Sequence, residues 1–260
     1  MNGRSRRRIC EALLSWSGAS LLVAAWLAGT SLGWIDPFIL PSPGKIATGL
    51  WKFVTEGHGH HSFLAHVSAS LWRTTAGFTI GLVLGIPLGL LMGYFASVNA
   101  VLAPLFAFIR PIPVIAFIPL VILYFGIGEV SKILLISATA FWYIVLNTAN
   151  GVRSVPQNLI QAAENLGLSR RQLFTSVILP GSMPFIMVGV KTTVALSWAV
   201  VVAAELIAAQ QGLGHVIIDA GTFFNIPLVY IGIGLIGLIG LMLERIVTAV
   251  ERRVLHWQGR

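Results

Sequence analysis

The side chains that could carry out chemistry are few, and they form no nucleotide site. A phosphate-binding loop has the pattern Gly-x-x-x-x-Gly-Lys-Ser/Thr, because its backbone amides and its lysine cradle the phosphates. The pair Gly44-Lys45 lacks both the upstream glycine and the following hydroxyl. Gly232, Gly234 and Gly237 have the spacing of a dinucleotide site, but they lie in an apolar run that no strand precedes, which favours helix packing. We therefore expect no ATP hydrolysis and no bound cofactor in this chain.

Four histidines, His58, His60, His61 and His66, lie close together in a segment that also contains several prolines. Histidine is a zinc ligand, so such a cluster raises the question of a metal site. Only Glu56 is near, and no cysteine lies at a motif spacing. A solvated loop is the preferred interpretation, and no metal site is predicted.

Glu205 is the one acidic residue well inside a predicted membrane span. An ionisable group at membrane depth is costly and is therefore a functional candidate. Two interpretations stay open, a gate or helix break and a solvated position at the mouth of the span. Direct binding of an anionic substrate is not expected, because the carboxylate would repel it. Further polar or amphipathic groups that could line a path are Trp142, Tyr143, Asn147, Thr193, Ser197 and Trp198.

The composition is that of a polytopic membrane protein. Hydrophobic residues make up 56% of the 260-residue chain and charged residues only 10%, whereas soluble domains carry about 25% charge. The single Cys10 cannot form an internal disulfide. Residues 12–35 form an uncharged run that is too long for a removable signal. The fold class predicted is all-α, with about six transmembrane helices.

Uncharged runs of spanning length predict where these helices lie, since a span needs about 20 residues. The predicted spans are residues 12–35, 71–95, 114–125, 133–152, 184–209 and 227–250. Residues 36–69 are predicted to form a loop, and residues 96–110 an irregular stretch. Residues 210–226 are expected to form an outer segment that could re-enter the membrane.

Lys and Arg residues accumulate on one side of the predicted spans. With the amino terminus inside, all but four of the 17 lie in inner segments; the outer ones are Lys45, Lys52, Arg73 and Lys132. Because loops rich in Lys and Arg stay in the cytoplasm, both termini and residues 153–184 are predicted inside, with Gly57 and Gln211 outside. The asymmetry accounts for the net charge of +8 without a nucleic-acid partner.

Glycine recurs every four residues along the second predicted span, at Gly77, Gly81, Gly85, Gly89 and Gly93. Residues four apart share one helix face. Small residues at this spacing let two helix backbones approach closely in lipid. The pattern predicts a face that packs against another helix of the same subunit or of a second copy.

The polar stretch 153–184 is predicted to form two short helices between apolar runs. Pro156 suits the first turn of a helix, and Gly167 can end that helix in the left-handed conformation. Ser169 and Gln172 form a capping-box pattern that starts a second helix, which is expected to stop before Pro180. One face of the first helix is predicted to carry Leu159, Ile160, Ala163 and Leu166.

This stretch resembles the EAA loop of ABC-importer permease subunits. The family pattern is Glu-Ala-Ala, three residues, Gly, nine residues, Ile-x-Leu-Pro, and the spacing here fits throughout. Gln161 replaces the glutamate and Val177 replaces the isoleucine. The resemblance implies a cytoplasmic loop that docks into an ATPase subunit, with the coupling residues Gln161, Ala162, Ala163, Glu164, Gly167, Leu179 and Pro180.

The wider resemblance is to the permeases of taurine, alkanesulfonate and nitrate importers. It is carried by the segments 110–113, 125–129 and 204–209, among others. It implies a type I importer permease fold, with an amino-terminal helix and outer loop over residues 1–70 and a permease core over residues 71–260.

The implied working unit contains two copies of this chain and two ATP-binding subunits, which hold ATP and Mg²⁺, in a bacterial inner membrane. A periplasmic solute-binding protein delivers the substrate, for which taurine or another sulfonate is the first expectation. Nitrate, bicarbonate and other small solutes are the alternatives within the family. A stand-alone secondary transporter or channel and an intramembrane enzyme are alternatives of other classes; an enzyme would need paired catalytic groups, and Glu205 has no evident partner in the sequence.

Overall fold

Helices make up most of the chain in the computed structural model, which describes residues 17, 18 and 20–257. Within this part no strand occurs, and the only β-type pairing is a bridge between His58 and His61. The helices are α1 (Ser20–Ser31), α2 (Pro43–Glu56), α3 (Phe63–Tyr94), α4 (Ala96–Ile109), α5 (Ile118–Phe125), α6 (Glu129–Arg153), α7 (Gln157–Asn165), α8 (Arg170–Leu173), α9 (Leu179–Ala208), α10 (Leu213–Thr222) and α11 (Ile226–Val254). A 3₁₀ turn, Val114–Phe117, precedes α5, and a π-helical turn, Phe174–Ile178, precedes α9.

Four helical segments of the described residues are long and apolar enough to cross a membrane: Phe63–Tyr94, Glu129–Arg153, Arg170–Ile207 and Ile226–Val254. A fifth candidate is a pair of helices, Ala96–Ile109 and Val114–Phe125, bent by 81°. The predicted span over residues 12–35 lies partly outside the described residues, and its described part contains α1. The expected all-α polytopic fold is confirmed.

The prediction for the third span was wrong in detail. Residues 114–125 are too short to cross the membrane alone, since 12 helical residues rise about 18 Å. Residues 96–110, predicted to be irregular, form the helix α4. Pro104 removes one hydrogen bond of α4 without ending it. The chain turns only at Arg110–Pro113, where two prolines lie close together and Pro113 is extended at φ −62° and ψ 126°.

The predicted break before Pro180 was also wrong. Helix α8 continues through the π-helical turn directly into α9, so that Arg170–Ile207 forms one 38-residue span. The Leu179 N–H donates to the Phe174 carbonyl, five residues back. Pro180 follows directly on this π-helical turn, as the second residue of α9.

The loop predicted over residues 36–69 contains two helical parts. Helix α2 begins at Pro43, a favourable first-turn residue, and ends at Glu56 before Gly57. Helix α3 begins at Phe63, eight residues before the predicted start at residue 71. The polar side chains of its first two turns hid this extension, because His66 and Ser70 are buried in the fold rather than facing lipid.

The described chain divides into two compact units. The first contains the residues up to Phe63 together with Val216–Ile233, and the second contains Leu64–His215 and the residues from Gly234 onward. In the first unit the Tyr230 hydroxyl donates to the Ile39 carbonyl at 3.0 Å, and His58 Nε2 lies 2.6 Å from Asp219 Oδ2. No group of three or more His, Cys, Asp or Glu residues in the described ranges could hold a metal ion.

Candidate functional sites

The loop between α6 and α9 has the local geometry that its sequence predicts. Gly167 adopts φ +78°, and its N–H donates to the Glu164 carbonyl at 2.9 Å, which ends α7. The Ser169 hydroxyl accepts from the Gln172 N–H, and Gln172 Oε1 accepts from the Ser169 N–H at 2.9 Å. Two helix ends therefore meet around a single left-handed glycine.

One side of α7 packs against the rest of the second unit and so holds this loop in place. Ala163 is buried and Ile160 half-buried, in a cluster with Val152, Leu173 and Ile178. The predicted apolar face was wrong in part, because Leu159 is 52% exposed and Leu166 is 80% exposed. In this nine-residue helix the buried side is formed by Ile160 and Ala163, which are three residues apart. Leu159 is rotated about 100° from Ile160 around the helix axis and therefore points away from that side.

The outward side of the loop is a free surface in the described chain. The exposed residues here include Leu159, Gln161, Ala162, Glu164, Leu166, Gly167, Ser169, Arg170 and Arg171. In the part of the chain that the structure describes, nothing lies within 4 Å of a Cβ placed on Gly167. Two of the exposed residues, Leu159 and Leu166, are large and apolar.

Leu179 and Pro180 lie at the point where the loop becomes a membrane helix. Both are half-buried, next to the π-helical turn. They connect the loop to α9 and do not belong to the exposed face of the loop.

The five glycines of α3 from Gly77 to Gly93 lie against α6. A Cβ on Gly77, Gly89 or Gly93 would come within about 2.6 Å of a β-carbon of α6, and one on Gly85 within 2.9 Å of Ile144 Cγ2. The residues of α6 that meet them, Ile136, Ala140, Ile144, Thr148 and Val152, are also spaced by four. At these five positions the backbones of α3 and α6 approach so closely that only glycine, whose side chain is a hydrogen atom, fits on α3.

Glu205 lies in the interior of the second unit, with no solvent exposure. Its carboxylate accepts hydrogen bonds from Arg73 Nη1 at 2.6 Å, Ser70 Oγ at 2.9 Å and the Gly214 N–H at 3.0 Å. A solvated position at the mouth of the span does not fit these contacts. The geometry is that of a buried carboxylate tied to backbone just beyond the end of α9.

Arg73, which the sequence analysis assigned only to an outer segment, is the centre of this network. Its guanidinium donates to both carboxylate oxygens of Glu129 at 2.6 and 2.7 Å, and to the Gln211 carbonyl at 2.6 Å. Lys132 Nζ lies 3.2 Å from the same Glu129. A buried acid in a span needs a cation, and this rule was the available signal for Arg73.

The segment after α9 is held by side chains of α3. The Gly212 N–H donates to His66 Nδ1 at 3.2 Å, and the Leu213 N–H donates to Ser70 Oγ at 3.0 Å. Gln211 Nε2 donates to the Ala65 carbonyl at 2.8 Å. The network therefore connects α3, α6, α9 and the start of α10 at one end of the second unit.

Three of the six further residues expected to line a path, Thr193, Ser197 and Trp198, are buried in the described chain. Trp198 is buried, and its Nε1 donates to the Ile236 carbonyl at 3.0 Å. Ser197 and Thr193 are buried, and their hydroxyl oxygens have no hydrogen-bond partner among the described residues. Asn147 Nδ2 donates to the Tyr143 carbonyl at 2.8 Å.

Tyr143 lines a cavity of about 800 Å³ in the second unit, as does Trp142. The cavity lies along the Arg110–Pro113 turn and is bounded by residues of α4, α5, α6 and α9. Its lining is mainly aromatic and aliphatic, with Phe106 and Phe117 among the aromatic residues. Sequence reasoning missed this site, because residues 106 and 143 come together only when α4 packs on α6.

This chain is similar in sequence to known membrane transport proteins. Residues 81–256 match the model of the family described as "Binding-protein-dependent transport system inner membrane component". The taurine transport system permease protein TauC of Escherichia coli (strain K12) is 37% identical over 250 residues, covering 96% of this chain and 91% of TauC. The putative aliphatic sulfonates transport permease protein SsuC of the same organism is 37% identical over 236 residues, covering 91% of this chain and 88% of SsuC.

The fold also matches solved transporters. A structure of the inward-facing MetNI methionine ABC transporter superposes with a TM-score of 0.64 at 20% identity, covering 74% of this chain and 95% of that chain. At this identity the match concerns the fold alone. Together with the sequence matches, it confirms the resemblance: the chain belongs to the binding-protein-dependent transport system inner membrane components, the permease subunits of ABC importers.

Proposed function

We propose that this chain forms the translocation path of an ATP-driven importer for a small organic anion. A sulfonate, taurine or an alkanesulfonate, is the first candidate. The observation that carries the proposal is the exposed loop around Gly167, which is anchored on one side and continuous with a membrane helix. The names of TauC and SsuC support the substrate class, and nitrate or bicarbonate is the alternative within the family.

The chain needs partners for this function. Its sequence lacks a phosphate-binding loop, so ATP and Mg²⁺ bind to two copies of a separate ATPase subunit. A second copy of this chain completes the path, and a periplasmic solute-binding protein delivers the substrate. The assembly lies in a bacterial inner membrane, in contact with lipid, with both termini in the cytoplasm.

The continuous helix from Arg170 to Ile207 supplies the mechanical link. Its 38 residues correspond to about 57 Å of helix, longer than the roughly 30 Å hydrocarbon core. The loop around Gly167, residues 154–169, is called the docking loop here and joins one end of this helix, and Glu205 with its network lies at the other. A displacement of the loop is therefore passed along one continuous helical segment, whose π-helical turn and Pro184 lie near the end that joins the loop.

ATP acts by favouring one of two arrangements. When ATP draws the two ATPase subunits together, the docked loops follow and α9 moves with them. ATP shifts the population toward this arrangement only by as much as the ATPase pair binds the loops more tightly in it than in the other arrangement. Hydrolysis removes that difference and returns the path to its resting arrangement.

Reconstitution of the chain with its ATPase and binding protein in proteoliposomes tests the proposal. We expect ATP-dependent uptake of radiolabelled taurine or ethanesulfonate, and none when the ATPase is omitted. Uptake of nitrate without uptake of any sulfonate would identify nitrate, an alternative within the family, as the substrate. Uptake driven by an ion gradient without the ATPase would identify a secondary transporter or channel and overturn the proposal.

A further inference from the structure

The cavity beside the Arg110–Pro113 turn has the dimensions of a ligand site. Its volume of about 800 Å³ lies within the range of about 300–1,000 Å³ typical of small-molecule pockets. Its walls come from α4, α5, α6 and α9, so a ligand there would contact both halves of the bent helix pair and the helix that follows the docking loop.

Arg110 is the only charged residue in the described lining of this cavity. It is exposed, and among the described residues it forms no ion pair. The lining contains no Asp, Glu, Lys or His, and Tyr143 and Thr139 supply its side-chain hydroxyls. The Thr139 hydroxyl already donates to the Leu135 carbonyl at 2.9 Å.

We propose that this cavity holds the anion during its passage, with the oxyanion head on Arg110 and an apolar tail among Phe106, Phe117 and Trp142. The inference rests on the proposed function and narrows its substrate class. The chain is matched to sulfonates that carry an uncharged aliphatic or aryl group, in preference to the zwitterion taurine.

The charge distribution carries this preference. A guanidinium donates two parallel N–H bonds to an oxyanion, so a sulfonate satisfies the unpaired Arg110 well. The second charge of taurine, an ammonium, finds no carboxylate in the described lining. An aromatic face attracts an ammonium only weakly compared with the water that it loses on entering.

The apolar wall adds a dependence on tail length. Each methylene moved from water to an apolar wall favours binding about threefold to fourfold. Isothermal titration of the purified permease–ATPase complex in nanodiscs, without the binding protein, measures this directly. We expect affinity to increase from ethanesulfonate to butanesulfonate to hexanesulfonate, with taurine below ethanesulfonate. A taurine affinity equal to or above that of hexanesulfonate would overturn the inference.

Filling the cavity tests where the tail lies. Ala138 is half-buried in the lining, and Ala138→Phe reduces the space for a long tail. In proteoliposomes with ATPase and binding protein, hexanesulfonate uptake should fall about tenfold or more, with ethanesulfonate uptake nearly unchanged. Because one binding protein serves both variants, the ratio of Ala138→Phe to wild-type uptake reports on this chain alone.

Removing the cation tests the head group. Arg110→Gln should lower uptake of every sulfonate about tenfold to a hundredfold, and Arg110→Lys should retain part of it. Arg245→Gln, the same change at an exposed position outside the cavity, is the matched control and should transport normally.

The outcomes separate the two proposals. If the wild-type assembly imports no sulfonate at all, the proposed function fails. If it imports sulfonates but Arg110→Gln transports like Arg245→Gln, the cavity site is wrong. If hexanesulfonate uptake through Ala138→Phe equals that of the wild type, or falls no more than ethanesulfonate uptake does, the tail does not lie in this cavity, and the inference is overturned.

Discussion

At the residue scale, the buried Glu205 carboxylate and the Arg73 guanidinium depend on one another. Arg73 is only 3% exposed and has Glu129 as a second partner. Removing one member of a buried ion pair leaves the other charge uncompensated, at a cost of about 3–5 kcal/mol. Because Glu129 remains on Arg73, we expect the cost for Glu205→Gln at the lower end, about 3 kcal/mol.

Thermal unfolding of the purified permease–ATPase complex measures this cost. Glu244→Gln, the same change at an exposed position of α11, should melt like the wild type. The double variant Arg73→Gln with Glu205→Gln should lose less stability than the sum of the single losses, because the two residues interact directly. Strict additivity would show that the 2.6 Å contact between them contributes nothing.

Gly167 tests the left-handed turn of the docking loop. Its φ of +78° costs a residue with a β-carbon about 1–2 kcal/mol, although the surrounding space is open. Gly167→Val should therefore change the path of the loop and abolish substrate-stimulated ATPase activity, while membrane insertion is retained. Gly167→Asn is the matched variant, since asparagine tolerates this conformation and should keep most of the stimulation.

The substrate-stimulated ATPase activity of Gly167→Val and Gly167→Asn is measured in the assembled complex with binding protein and substrate. Normal stimulation in Gly167→Val would mean that this turn does not transmit the signal between the subunits.

At the scale of elements, the contact between α3 and α6 requires glycine. A Cβ on Gly81 would lie 2.8 Å from the Phe141 nitrogen and 2.8 Å from the Ser137 carbonyl oxygen. These are backbone atoms of α6, so the helices themselves must separate. We expect Gly81→Ala to destabilise the chain by about 1–3 kcal/mol or more, the usual cost of overpacking.

Gly237→Ala is the control for this prediction, because nothing lies within 4 Å of a Cβ at that helical glycine. There the gain in helix propensity should dominate, up to about 1 kcal/mol in favour of alanine. The melting temperatures of the two variants should therefore change in opposite directions. Equal melting of Gly81→Ala and wild type would exclude a tight contact between α3 and α6.

At the scale of the whole molecule, the asymmetry of Lys and Arg predicts the orientation in the membrane. In a Cys10→Ser background, single cysteines report which side a residue faces. His60→Cys is preferable to a change at Gly57, because Gly57 has φ +79° and a Cβ there would meet the His61 carbonyl. His60 and Ser169 are both exposed.

An impermeant thiol reagent should label His60→Cys in intact cells and Ser169→Cys only after the inner membrane is opened. Labelling of Ser169→Cys in intact cells would place the docking loop outside, where no ATPase could reach it.

Features that depend on a few neighbouring residues were predictable from the sequence alone. The left-handed Gly167 and the Ser169–Gln172 cap are local, because they depend on backbone dihedrals and on hydrogen bonds within one turn. The spans follow from apolar runs, and the four-residue glycine spacing defines a helix face whatever that face meets. Local rules failed at Pro180, because a π-helical turn, rarely visible in a sequence, let the helix continue.

Contacts between distant helices were decided only by the tertiary structure. Arg73 and Glu205 are 132 residues apart, and the rule that a buried acid in a span needs a cation does not say which cation it meets. The side of α7 that is buried, and the meeting of Arg110 with Tyr143 around one cavity, likewise depend on how α4, α6 and α9 pack. Periodicity tells which residues share a face of one helix, whereas the partner of that face depends on the packing of the whole chain.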